Sequence, residues 1–218
     1  MMQVIGAAIA FAVFKLGATD AYSKAIVAAV VDGGHLKFAG LVVIAYAVRF
    51  VNFFPMAFKE KIMKGALRDE IGLNMRANPF IYTTMKSKDV VLFENDGLKG
   101  KYNRANRSLT HMIENFASTL AGLMLSGSVF PFPTFVCTCL FGAGRIMHQV
   151  GYSSGYGKHG MGFAFAMLAA LTMEGLCILV ALAGLGVIAV EAPPTELDNR
   201  LKALEAWVQT AGQGSAKA

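Results

Sequence analysis

The sequence predicts an all-α integral membrane protein, a four-helix transmembrane bundle. Three observations predict it. Only 16% of the 218 residues are charged and 55% are hydrophobic, against about 25% charged in a soluble domain. The apolar residues are gathered into long runs, as membrane spans require. On two of those runs the polar residues recur at helical spacing and form one narrow stripe each. The formal net charge of +6 could suggest nucleic acid. However, the lysines and arginines cluster in one loop beside apolar spans, which is the pattern of membrane orientation, and no nucleic-acid partner is expected.

Residues 1–35 form an apolar segment and linker. Met1 to Leu16 is apolar except for Gln3 and Lys15 and is short for a span of roughly 20 residues. It reads as a short anchor, an interfacial helix or an uncleaved signal-like segment. No basic stretch precedes it and no small-x-small cleavage site stands out, which argues against a cleaved signal. Asp20 to Val31 is mildly amphipathic, and Asp32-Gly33-Gly34 breaks the chain.

Residues 36–190 form the membrane domain. The first span, about 36–58, carries Arg49 and Asn52 within an apolar run. An intramembrane arginine is costly, so Arg49 either faces the interior with a partner or snorkels to an interface. The polar loop 59–103 holds Lys59, Lys61, Lys64, Arg68, Arg76, Lys86, Lys88, Lys99 and Lys101 against six acidic residues, which places it on the cytoplasmic side. Its first part is expected to continue the helix, and Asn78-Pro79 to break it. The second span is about 104–130. Pro131 and Pro133 mark a short uncharged hairpin before the third span, about 134–152. A glycine-rich turn then leads into the fourth, about 161–190, which carries Glu174. Pro193-Pro194 stop that span. Residues 191–218 are an amphipathic helix, with Thr195 as N-cap and Leu197, Leu201, Leu204 and Val208 on one face beside Trp207, and then a loose tail. Cys137, Cys139 and Cys177 read as small apolar residues, and no metal site is expected.

Two constellations carry chemistry. At the start of span two, Arg104, Arg107, His111 and Glu114 fall at i, i+3, i+7 and i+10, one stripe on a helix. A basic stripe ending in a carboxylate is suited to an anionic ligand. On span three, Arg145, His148, Tyr152 and Tyr156 fall at i, i+3, i+7 and i+11. A guanidinium can hold a carboxylate bidentately, and a phenol can donate to a thiolate or oxyanion. Interfacial anchoring explains the tyrosines but not Arg145 and His148 on the same face.

The order R-A-x-R-(x)6-E followed by G-R-(x)6-Y-(x)2-G resembles the MAPEG family (membrane-associated proteins in eicosanoid and glutathione metabolism). The segment GRIMHQVGYSSG is most similar to its microsomal glutathione transferase branch, and the resemblance covers roughly Leu36 to Val190. It implies a homotrimer of four-span subunits in the endoplasmic reticulum or another organelle membrane, with glutathione as co-substrate bound between neighbours near the cytoplasmic face. It implies that Arg104, Arg107, His111, Glu114, Arg145, His148 and Tyr152 hold glutathione. Arg107 would take a carboxylate, and Glu114 the amino group or a neighbouring arginine. A pairing of Arg49 with Glu114 across spans one and two is a separate expectation, which adds Arg49 to the set. Catalysis would be thiolate activation, with Arg145, Lys158 or His159 supplying charge and Tyr152 a hydrogen bond. The second substrate would be an apolar electrophile or lipid hydroperoxide arriving through membrane lipids.

The chain departs from the family pattern in places. Ser108-Leu109 stand where Ala-His or Ala-Gln is usual, and His111 where an asparagine is. Lys158 and His159 occupy the region in which several catalytic members have an arginine. Two other readings follow: a non-catalytic subunit of this fold within a larger membrane assembly, or an unrelated four-span transporter or channel subunit.

Overall fold

The computed structural model describes residues 2–64, 80–84, 91–189 and 200–205. The helices are α1 (Met2–Leu16), α2 (Thr19–Val30), α3 (His35–Met63), α4 (Gly97–Val129), α5 (Pro131–Ser154) and α6 (Gly160–Gly184). Two three-residue strands, β1 (Tyr82–Thr84) and β2 (Val91–Phe93), pair antiparallel in the segment expected to be a polar loop. Arg68, Arg76, Lys86, Lys88 and Asn78-Pro79 lie outside the described residues.

By length and composition, α3 and α6 can each cross a membrane. The pair α1 and α2, bent by 114° at its break, adds a third crossing if it acts as one span. α4 and α5 have lower hydropathy for a physical reason. Their polar side chains are turned inward: Ser108, Thr119 and Ser126 on α4, and Thr134, Thr138 and Gln149 on α5, are all buried. Toward the hairpin their outward side chains are largely apolar, including Met124, Leu125, Val129, Phe132 and Val136, while Lys101, Arg107 and Glu114 are exposed nearer the start of α4. A soluble protein has the opposite arrangement, whereas polar residues of membrane helices face the bundle interior.

Helices α3 to α6 share one core. Ala47 and Val51 of α3, Met112 of α4, Phe141 of α5, and Ala166 and Ala169 of α6 form one cluster. Ile44, Leu123 and Met173 form a second. α5 and α6 touch backbone to backbone: a Cβ placed on Gly144 would lie 2.6 Å from the Ala166 amide nitrogen. Small residues permit such close approach between apolar helices. That contact sets where the first turn of α6 meets the end of α5.

α4 and α5 run antiparallel, cross-linked by hydrogen bonds along their length. Ser126 and Thr134 bond side chain to side chain at 2.9 Å near the hairpin. At the far end Gln149 Nε2 donates to the Ala105 carbonyl at 3.3 Å. The two polar stripes of the sequence therefore face one another.

Several boundaries shift. α4 begins at Gly97 rather than near 104, and α6 ends at Gly184 rather than 190. The chain divides into two units, Met1–Ile178 and Leu179–Ala218. In the second, residues 200–205 are helical and exposed. The rest of the expected C-terminal helix, with Thr195, Leu197, Trp207 and Val208, lies outside the described residues.

Candidate functional site

A cavity of about 170 Å³ opens where α4, α5 and α6 meet at the polar end. Arg107 and His111 line it from α4, His148 and Tyr152 from α5, His159 from the turn before α6, and Phe163 from α6. Helical spacing explains the α4 and α5 pairs, since residues four apart lie one above the other. The aromatic rings form a column. His111 stacks on His148 at 5.7 Å, and His148 on Tyr152 at 5.5 Å. His159 stands edge-on to Tyr152 at 4.7 Å and to His148 at 5.3 Å, and Phe163 packs against both His111 and His148.

Two arginines of the predicted set are committed to the fold. Arg145 is 2% exposed and does not line the cavity. Its Nη2 donates to the Ser108 carbonyl at 2.8 Å, and its Nη1 to His111 Nδ1 at 2.9 Å. Arg104 is buried; its Nη1 donates to the Asn95 carbonyl at 2.8 Å and its Nη2 to the Ser153 carbonyl at 3.4 Å. The Tyr156 ring lies under that guanidinium at 5.5 Å, and the Tyr156 hydroxyl donates to Asn95 Oδ1 at 2.9 Å. Arg104 and Tyr156 thus tie the segment before α4 to the end of α5.

Arg107 differs. It is half exposed and pairs with Glu114 at 3.0 Å. The expected pairing of Arg49 with Glu114 is not formed within the chain. Glu114 is taken by Arg107, while Arg49 is exposed over the Tyr46 ring at 5.6 Å. Arg49 lies in an apolar groove of about 670 Å³ between α3 and α5, beside Phe50, Phe53 and Ile146. Lys158 is exposed and does not line the cavity, whereas His159 does. Glu174 is exposed on the flank of α6.

Other contributors were not singled out from the sequence. The Ser108 Oγ, fully buried, bonds His148 Nδ1 at 2.8 Å. Asn103 pairs with both the amide and the carbonyl of Ile81 and donates to the Glu94 carbonyl, pinning the strand segment to α4. Gln149 completes the α4–α5 contact. Ser108 carried a signal, since it stands at a position where the resembled motif has alanine. Asn103 carried none, because its partners are backbone atoms of a distant loop. Buried and without a hydrogen-bond partner among the described residues are Arg104 Nε, Arg145 Nε, Gln149 Oε1 and His159 Nδ1. No group of three or more metal-ligating side chains with suitable geometry occurs among the described residues.

Residues 73–179 match the MAPEG family. The MAPEG match takes in all of α4 and α5 and most of α6, and with them every residue lining the cavity. It is shorter than the resemblance read from the motifs and leaves α3, with Arg49, outside it. No curated protein matches the chain. The match and the apolar helices together point to a membrane protein.

Proposed function

We propose that the chain is a MAPEG membrane subunit of the microsomal glutathione transferase type. Four helices, α3 to α6, cross the membrane, and three copies assemble around sites that bind glutathione. The observation that carries this reading is the composition of the cavity. One half-exposed guanidinium, three imidazoles and a phenol line it, with no carboxylate among the lining residues. Such a wall favours an anion and a thiol.

α4 is 33 residues long, about 50 Å at 1.5 Å per residue, against a hydrocarbon core of about 30 Å. Its first turns therefore stand beyond the apolar core, and the cavity lies near the headgroups. There a water-soluble tripeptide enters from one side and an apolar partner from the lipid. A cavity of about 170 Å³ is below the ~300–1,000 Å³ of most small-molecule sites. The remainder of the site comes from a neighbouring copy, and Arg49, exposed and without an acidic partner among the described residues, is suited to supply it.

In this reading Arg107 holds a glutathione carboxylate and Glu114 the amino group. Tyr152 donates its hydroxyl hydrogen to the sulfur. The thiol proton passes to the His159 imidazole, since Arg145 is engaged and Lys158 faces away. The thiolate sulfur then forms a bond to the electrophilic carbon, and the leaving group departs with its electron pair. With a lipid hydroperoxide the sulfur attacks the outer oxygen instead, the O–O bond breaks and the lipid leaves as its alcohol after taking a proton, and a second glutathione thiol displaces water from the resulting sulfenic acid to give the disulfide.

The test uses the full chain in detergent with glutathione. Thiolate absorbance and conjugation of an aryl halide are expected, both reduced by Arg107→Ala. Binding without turnover would favour the non-catalytic subunit. Absence of binding would remove the glutathione reading.

A further inference from the structure

The Arg145–His111 contact fixes more than the packing of α4 on α5. A guanidinium has five N–H donors and no acceptor. The nitrogen it meets at 2.9 Å, His111 Nδ1, must therefore offer its lone pair. A neutral imidazole carries one proton, and which nitrogen bears it is set by the bond the other makes. With Nδ1 accepting, the proton sits on Nε2. Arg145 itself is buried and absent from the cavity wall, while His111 lines it. The second guanidinium arm is anchored on the Ser108 carbonyl, so the donor cannot swing away without breaking two bonds.

We propose that Arg145 is a positioning residue, which holds His111 in the Nε2–H form so that His111 donates a hydrogen bond to an anionic group of the ligand in the cavity. The ligand class rests on the glutathione reading; the locked tautomer does not. His111 lines the cavity together with Arg107 and stacks on the His148 ring. Arg107 supplies a flexible, half-exposed charge, and His111 a directed neutral donor on a rigid ring. Together they favour a planar carboxylate over a spherical anion.

Two measurements test this. The first uses full-length protein in detergent carrying ¹⁵N-labelled histidine. The chain has four histidines, and the His111 resonances are identified by their loss in His111→Asn. They are expected to report a protonated Nε2 and a hydrogen-bonded, unprotonated Nδ1. Arg145→Met is expected to release the ring to a mixture of tautomers, and Arg145→Lys, which keeps a donor, to retain the lock in part. A protonated Nδ1 in the unaltered protein overturns the proposal, as does a His111 spectrum indifferent to both variants.

The second measurement is a glutathione titration. Arg145→Met is expected to weaken binding about tenfold, as loss of one well-placed donor does. In the His111→Asn background, where no tautomer needs fixing, the same change is expected to cost less than twofold. Equal losses in both backgrounds would mean that Arg145 touches the ligand itself, which overturns the positioning role. If the unaltered protein binds no glutathione, the glutathione reading fails, and the histidine spectra still decide the lock.

Discussion

Ser108 and His148 are joined side chain to side chain across the α4–α5 contact, Oγ to Nδ1 at 2.8 Å, with both residues buried. The bond orients the middle ring of the aromatic column. Ser108→Ala removes the partner and leaves a buried ring nitrogen unsatisfied, at a cost of about 1–3 kcal/mol. A lower unfolding temperature in detergent is expected. His148→Phe removes the polar nitrogen as well, so the double variant should recover part of the loss in a double-mutant cycle. Strictly additive losses would mean that the bond does not couple the two helices.

Arg104 and Arg107 sit one turn apart yet are expected to fail in opposite ways. Arg104 is buried and holds two backbone carbonyls. Arg104→Met should destabilise the fold by about 1.5–3 kcal/mol, the range for hydrogen bonds to a charged group. Its glutathione affinity, measured on the folded fraction, should change less than Arg107→Ala changes it. Arg107 is half exposed, and loss of its surface pair should cost no more than about 1 kcal/mol. Arg107→Ala should instead weaken glutathione binding at least tenfold. Thermal unfolding and titration of both variants separate the roles, and a reversal of the two patterns would exchange them.

The stripes on α4 and α5 were legible because helical periodicity turns sequence spacing into a shared face. That logic brought Arg107, His111, His148 and Tyr152 to one cavity. It could not tell which arginine on a stripe lines the cavity. Arg104 and Arg145 lie on the same stripes and are consumed by carbonyls and by His111, because each meets a partner on another segment. Arg49 shows the same limit. Its cost in an apolar helix left it either a partner or an interface, and the acid expected to pair with it, Glu114, is taken by Arg107 on the same helix, α4. The small strands of the 80–95 segment were missed because three-residue runs carry too little periodicity to stand out from a polar loop.

Gly144 tests how the cavity is built. A side chain there would run into the backbone of α6 at Ala166. Overpacking costs typically 1–3 kcal/mol. Gly144→Val should cost at least that much, since backbone yields less readily than side chains. Displacement of α6 should also move Phe163 and His159 away from His148. The expected result is a lower unfolding temperature together with reduced turnover. Gly175→Val, at a position with open space around it, serves as the control and should change the unfolding temperature by far less. Equal effects at the two positions would mean that the close α5–α6 contact does not position the site.

His159 and Arg107 divide the work of the proposed reaction, and replacement of His159 separates proton transfer from charge. The ring lines the cavity edge-on to Tyr152 and His148. If the imidazole accepts the thiol proton, His159→Gln should lower turnover about 10²-fold or more, the scale of general acid–base catalysis. The glutathione KM should stay nearly constant, because Arg107 and Glu114 still bind the tripeptide. His159→Arg offers a fixed cation that cannot take the proton. The bound thiol would then lose its proton to solvent and persist as a thiolate, so absorbance of the bound thiolate should rise relative to His159→Gln. Conjugation in His159→Arg should recover at least partly, as far as thiolate supply limits it. A His159→Gln variant that turns over normally would remove His159 from the reaction and return the proton to solvent or to Tyr152.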